Sequence, residues 1–312
     1  MSAAFAFDLL LAGIIPAIAV WTLAARSTFA AAVVFVVYGL MLALVWVRLN
    51  AVDVALTEAA IGGGVTGMLL LGAAARLRAT GAHGAPARPL KILAGIACGL
   101  VTAGLAGGVL SLPLPPATLA PLVMAKLADS GLGNPVTGVL FVYRSLDTLL
   151  EKVVVLLALL GVWSLAPDRL WGGVPGLPLY PKPSPILTLL VQVMTPIGFL
   201  MGVYLCWTGA DHPGGAFQGG AVLAAMWIIV MTSGLRPVPP IGQTSVRWLA
   251  AVGPIVFFAI GLAGAALAGA FLAYPAGFAK PLIVAIELTL TLSIGVTLGL
   301  LAAGPPARTV PR

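Results

Sequence analysis

The sequence predicts an all-α, polytopic membrane protein of about nine transmembrane helices, N-terminus outside and C-terminus inside, and three observations predict it. The 312 residues are 61% hydrophobic and only 8% charged, whereas soluble domains carry roughly a quarter charged residues. Apolar runs of about 20 residues, the length needed to cross the hydrocarbon, recur nine times along the chain. The basic residues fall between these runs with a consistent bias.

The first run, 6–25, has no basic stretch before it, carries Asp8 early and is followed by Arg26. It reads as an uncleaved helix and not as a signal peptide. The second covers 28–47 and the third 52–75. The third opens with AVDVALTEAAIGGGVTG, with Asp53 near its end, where water or snorkelling could satisfy it, and Glu58 about two turns deeper. Gly62, Gly63 and Gly64 follow, and three glycines in a row weaken a helix. Two readings stay open: close helix packing at GxxxG spacing (Gly63, Gly67), or a helix able to shift register or hold a π-bulge beside a buried acid.

The fourth run covers 90–112. The fifth, 146–166, belongs to NPVTGVLFVYRSLDTLLEKVVVLLALLG, read as one helical stretch. Arg144, Asp147 and Glu151, spaced i, i+3, i+7, then share a face, with Thr148 beside them and Lys152 adjacent. Charges at membrane depth cost about 2.5–3.5 kcal/mol each even on lenient scales and mark ion pathways, so this stripe is the leading ion-translocation candidate, with Asp147 and above all Glu151 as relay acids. A structural stripe of mutually neutralising ion pairs is the alternative. The sixth to ninth runs cover 186–208, 216–235, 249–273 and 280–303. The last carries Lys280 and Glu287 two turns apart, and Glu287 is expected to face another helix or water.

Arg76, Arg78, Arg88 and Lys91 cluster after the third run and place that loop inside. Arg26, Arg169, Lys182, Arg236, Arg247, Arg308 and Arg312 fall on the same side, against Arg48, Lys126, Arg144 and Lys280 outside. Two joints, TGAHGAPARP (80–89) and APDRLWGGVPGLPLYPKPSP (166–185), are loop-like and divide the chain into modules 1–80, 88–166 and 184–305, of three, two and four helices.

Several classes are excluded. The net charge of +7 is spread over loops, which argues against nucleic acid. Cys98 and Cys206 stand apart in apolar runs, without metal-ligand spacing, and read as packing residues; no metal or cofactor is expected. There is no HExxH, GxSxG or P-loop, and His83 and His212 are the two histidines, so catalysis by this chain itself is disfavoured. No inverted repeat points to a self-sufficient permease.

One stretch resembles a family signature. GADHPGGAFQGG (209–220) resembles the glycine-rich loop of the MnhB component of multisubunit, Mrp-type sodium/proton antiporters, in which a polar pair precedes P-G-G-x-F-x-G-G. Here the pattern falls on Asp211 and His212, then Pro213, Gly214, Gly215, Phe217, Gly219 and Gly220. The four-helix module resembles that component as a whole (MnhB-like). AVDVALTEAAIGGG resembles the NuoJ-like (MbhD-like) C-terminal part of the large antiporter component. YRSLDTLLEK resembles the segment after it (MbhE-like), whose R-x-x-D-T-x-x-E pattern is met by Arg144, Asp147, Thr148 and Glu151. The chain departs from the antiporter components in being fused and in having Lys152 after the glutamate.

The resemblance implies a non-catalytic subunit of a multisubunit Na+/H+ antiporter in a bacterial inner membrane. Its partners are other subunits of the assembly, the bilayer, Na+ and H+. The same modules recur in membrane-bound hydrogenases related to complex I, so a membrane-arm component of a redox-driven pump is the alternative. The resemblance also implies a tight re-entrant or interfacial turn at the loop, where His212 is the side chain that titrates near neutral pH and serves either structure or proton transfer.

Overall fold

The computed structural model describes residues 2–79, 87–112, 118–176 and 184–309. The 80–86 and 177–183 stretches, with His83 and Lys182, and 310–312, with Arg312, lie outside the described residues.

Two helices, α1 (Ala3–Ala24) and α2 (Thr28–Arg48), form a hairpin. Its N-caps are Ser2, accepting from the Phe5 N–H, and Ser27, accepting from the Ala30 N–H, which satisfies otherwise orphaned first-turn donors. Arg48 grips Asp8 across the hairpin at 2.7 Å. The third rod begins as α3 (Val52–Glu58), loosens into a π-helical segment over Ala59–Thr66, and resumes as α4 (Gly67–Ala79). The π segment starts directly after Glu58 and contains Gly62, Gly63 and Gly64. There α2 comes so close that a Cβ on Gly39 would stand 2.9 Å from the Gly62 carbonyl carbon and the Gly63 nitrogen. Close packing and the π segment therefore coexist at these glycines.

The fourth rod, α5 (Arg88–Ser111), buries no residue within the chain. Cys98 lies exposed on it, while Cys206 is buried, so only the second cysteine is a packing residue here. Two short elements are invisible to hydropathy, α6 (Ala120–Leu127) and the 3-10 turn Ala128–Ser130. The stretch from 134 to 161, expected as one helix, is broken. It starts as α7 (Pro135–Gly138), opened by Asn134, whose side chain accepts from the Val136 N–H at 2.9 Å. A π turn follows over Val139–Tyr143, the backbone leaves helical geometry at Arg144 (φ −134°, ψ 37°), and α8 runs over Ser145–Ser164. The break frees a carbonyl that a side chain then satisfies: Thr148 Oγ1 donates to Leu140 O at 2.6 Å, as kinks of this kind require.

The last four helices, α9 (Pro185–Thr208), α10 (Ala216–Thr232), α11 (Thr244–Leu267) and α12 (Ala279–Ala303), form the best-packed part. The α11 helix begins and ends about five residues before the expected 249–273. Helix α12 sits at the centre against α8, α9, α10 and α11, with Ile283, Ile286 and Leu290 fully buried beside Phe257 and Met231. A two-residue strand β1 (Val174–Pro175) pairs antiparallel with β2 (Pro306–Arg308).

The loops segregate by end. Gly133 N donates to Ala210 O at 3.0 Å and Gly131 abuts Lys280, joining loops expected outside. At the other end Ile241 N donates to Gly173 O at 2.9 Å and Gly304 lies against the Arg76 guanidinium, joining loops expected inside. Among the described residues seven helices are long and apolar enough to cross a membrane; α8, with three charges, and the 17-residue α10 lie at two further expected runs. The chain is a multi-pass, all-α membrane protein.

Candidate functional site

The turn between α9 and α10 organises the site. The N–H groups of Asp211 and His212 both donate to Thr208 O, at 3.0 and 2.8 Å, and Gly215 N donates to Leu205 O at 2.8 Å. Gly214 and Gly215 have φ of +151° and +123°, open to glycine but strained for L side chains. This conformation turns the Gly214 N–H onto Asp53 Oδ1 at 2.9 Å. Asn134 Nδ2 completes the clasp, donating to Asp53 Oδ1 (3.4 Å), Gly209 O (3.2 Å) and His212 O (3.0 Å), while Thr137 Oγ1 donates to Gly209 O at 2.6 Å. Asp53 is therefore not snorkelling; it is 8% exposed, and its Oδ1 is bound to backbone from the far end of the chain.

On the other side of the same turn stands Glu287, 2% exposed. The Ala216 N–H is directed at its carboxylate, its Oε1 packs against Gly209 and Gly215, and its Oε2 is buried with no hydrogen-bond partner. Lys280, two turns earlier, does not serve it: the ammonium binds both oxygens of Asp211, at 2.7 and 2.8 Å, and holds the Asp211 carboxyl below the usual carboxylate range. Gln218 Nε2 donates to Thr57 Oγ1 (3.1 Å) and Asp53 O (3.4 Å), tying the start of α10 to α3.

The stripe on α8 resolves into two separate pairs. Arg144 pairs with Asp147, and both side chains are more than half exposed. Lys152 pairs with Glu151 at 2.8 Å, and it is Lys152 that points inward, 6% exposed, with its ammonium 4.7 Å from the centre of the Phe217 ring. That distance lies within cation–π range. Glu151, expected to be the deep acid, is half exposed. The break at Arg144 and the packing of α8 explain the difference: its buried face carries Ser145, Thr148, Leu149 and Lys152, which leaves Asp147 and Glu151 on its exposed side.

A cavity of about 250 Å³ lies where these parts meet, lined among others by Asp53, Thr57, Glu151, Lys152, Gln218 and Glu287. A second recess of about 350 Å³, lined by Asn50, Asn134, Asp211 and His212, shares Asp53 with it. Asp53, like Val54 and Val136, thus lines both spaces, the recess at the loop end of α3 (the outer recess) and the cavity further along that helix (the inner cavity). Arg144 and Asp147 line a different recess with Phe271 and Leu272. Glu58 is half-buried beside Gly62 and lines neither space. His212 and Pro213 are exposed, and His212 joins the clasp through its backbone. Gly219 lies against Gly202 of α9 and Gly220 against Ile294 and Thr291 of α12, seating α10 between its neighbours. Among the described residues no three His, Cys, Asp or Glu side chains cluster as a metal site.

Asn134, Thr137, Thr57 and Gln218 belong to the site although no charge marks them in the sequence. A signal existed for two of them. Asn134 directly precedes Pro135, the N-cap pattern, and Gln218 is the amide inside the glycine-rich stretch itself. Neutral polar residues simply stand out less than charges in an apolar chain.

Comparison with known proteins fits this geometry. Residues 13–79 match the MbhD family, a component of MBH, and residues 186–304 match a domain related to the MnhB subunit of Na+/H+ antiporter. An uncharacterized protein of Methanocaldococcus jannaschii is 27% identical over 161 residues, covering 45% of this chain and 59% of its own length. Among solved structures, the Mrp complex from Dietzia sp. DQ12-45-1b contains a chain that superposes on 97% of this one (TM-score 0.75, 20% identity), of which this chain spans 35%. The membrane-bound sulfane sulfur reductase, an archaeal respiratory membrane complex, matches 68% of this chain and 97% of its own (TM-score 0.54, 21% identity). The chain thus spans little more than half of its curated relative and about a third of the first of these structures. It carries an MbhD segment and an MnhB-related domain, and its fold is that of chains in multisubunit membrane complexes.

Proposed function

We propose that this chain, an MbhD segment joined to an MnhB-related domain, is a subunit of a multisubunit Na+/H+ antiporter. In this reading it performs no catalysis, spans a bacterial inner membrane nine times with its N-terminus outside, and contributes part of the ion path. The modules are 1–80, 88–166 and 184–305. One observation carries the reading: side chains from all three reach a single cavity, Asp53 from the first, Glu151 and Lys152 from the second, and Gln218 and Glu287 from the third. Ionisable groups within a membrane segment are expensive and persist where ions pass. Two buried carboxylates either side of one turn, with an ammonium across the cavity, can hold and release positive charge without meeting lipid. The face of α5, which buries no residue within the chain, is where the other subunits cover this chain.

The test is proton flux driven by a Na+ gradient in liposomes containing the whole assembly. Flux is expected in the assembly and none in the isolated chain, whose acids do not line a complete crossing. Robust exchange by the isolated chain would sink this reading. A second reading, the membrane arm of a redox-driven pump, is favoured by the MbhD match and the reductase likeness. Purifying the native assembly separates the two: iron–sulfur chains among its partners select the second.

A further inference from the structure

We infer that the inner cavity holds one alkali cation, Na+ in the assembly proposed above, between Glu287 Oε2, Gln218 Oε1 and the Asp53 carboxylate. The inference rests on the antiporter reading and names where its cation dwells. It starts from the buried oxygen. Glu287 Oε2 is enclosed and unpartnered among the described residues, and a buried carboxylate oxygen with no donor is costly unless something positive reaches it. Gln218 supplies the second ligand because its amide is already oriented. Its Nε2 is committed to Thr57 and Asp53 O, which leaves Oε1 as the free atom, and that atom and Glu287 Oε1 both border Gly215, where a Cβ would stand 3.4 Å from the one and 3.1 Å from the other.

Asp53 spends Oδ1 on Gly214 and Asn134, while Oδ2 has no hydrogen bond among the described residues. All three donors are oxygens, the set preferred by hard cations. Among the described residues no three His, Cys, Asp or Glu side chains converge as a metal site, so the dense acid cage that a divalent ion draws on is not built here. The cavity, about 250 Å³, leaves room for several waters at roughly 30 Å³ each, so the ion need shed only part of its shell.

The surrounding charges say how the site would empty. Facing Glu287 are Asp53 from α3, Glu151 and Lys152 from α8, and the Cys206 thiol from α9, which is bonded to Thr291. Lys152 and Glu151 cancel, so the cavity carries the charge of Asp53 and Glu287 alone. A proton on Glu287 and a cation beside it then compete for one carboxylate. The outer recess, sharing Asp53, is the route by which the ion reaches the site.

The experiment is equilibrium dialysis of 22Na+ against the purified assembly in an organic-cation buffer. Wild type is expected to bind saturably, and Glu287→Gln and Gln218→Met to bind about tenfold more weakly or less, the loss that removing one contact to a charged group gives. Asp147→Asn, outside the cavity, is expected to bind as wild type. Wild-type isotherms in both cavity variants overturn the site. Should neither variant assemble, the infrared difference spectrum of wild type with and without Na+ decides: a Na+-dependent carboxyl band supports the site and its absence overturns it. Flux without Na+ retention by this cavity condemns the site alone; retention without flux condemns the antiporter reading alone.

Discussion

The acids of α8 and the acids beside the 209–215 turn come from the same small set of membrane charges, yet they end in opposite surroundings. Asp147 and Glu151 lie on the chain's outside, 56% and 50% exposed at the side chain, each with its base one to three residues away. Asp53 and Glu287 lie 8% and 2% exposed, and neither has a basic partner among the described residues; they hold backbone N–H groups from α9–α10. The difference lies in what each carboxylate neutralises. The first two balance charges on their own helix, while the second two fasten one segment of the chain to another. Local spacing predicts the first kind of contact well and is blind to the second.

The sharpest way to break this contrast is to delete one acid of each kind. Asp53→Ala strips the acceptor from the buried Gly214 N–H, at about 1–3 kcal/mol for the orphaned group, while Asn134 Nδ2 keeps Gly209 O and His212 O, so recovery of the assembly should fall several-fold in size-exclusion chromatography. Asp147→Ala opens an exposed pair worth about 1 kcal/mol at most and should leave recovery intact. Equal losses in the two variants would erase the distinction.

A smaller effect isolates the backbone side of the clasp. Gly214→Ala keeps every carboxylate but places a Cβ at φ +151°, against the Leu205 carbonyl. The strain of about 1–3 kcal/mol should lower the thermal midpoint of the assembly by a few degrees, and an unchanged midpoint would show that the turn does not need its geometry.

The smallest effect concerns Asp211, which resembles the α8 acids in exposure and the clasp in reach. Its carboxyl is depressed below the ordinary 3.8 by Lys280, so the pair's stabilisation is whole above about pH 4 and fades as pH falls through the lower folded value. The stability deficit of Asp211→Asn, at most about 1 kcal/mol for an exposed pair, should therefore be widest at pH 7 and narrow as pH falls below about 4. A gap that widens toward acid would reverse the assignment.

The rods were legible because hydrophobic length alone dictates them, and Asp53, Lys152 and Glu287 stood out because a charge in such a chain cannot hide. Orientation was not legible. The i, i+3, i+7 spacing establishes that Asp147 and Glu151 share a face, but the break at Arg144 and the packing of α8 on α11 and α12 decide that the face turns outward and Lys152 inward. Nor could spacing pair Asp53 with Gly214, 161 residues later, since that contact exists only once three segments have met. The glycine-rich turn was recognisable as a signature; its role as a donor of N–H groups to carboxylates on both sides came only from geometry.

That distant bond has a kinetic side. When the groups that meet at the turn lie on one polypeptide, their encounter no longer depends on the abundance of separate chains. How often they meet is set by tether length, through an effective local concentration on the order of millimolar for short flexible connections. A 1:1 ratio of the contributing segments is then guaranteed at synthesis, and dilution in the bilayer cannot leave Asp53 without its amide or Glu287 without its turn.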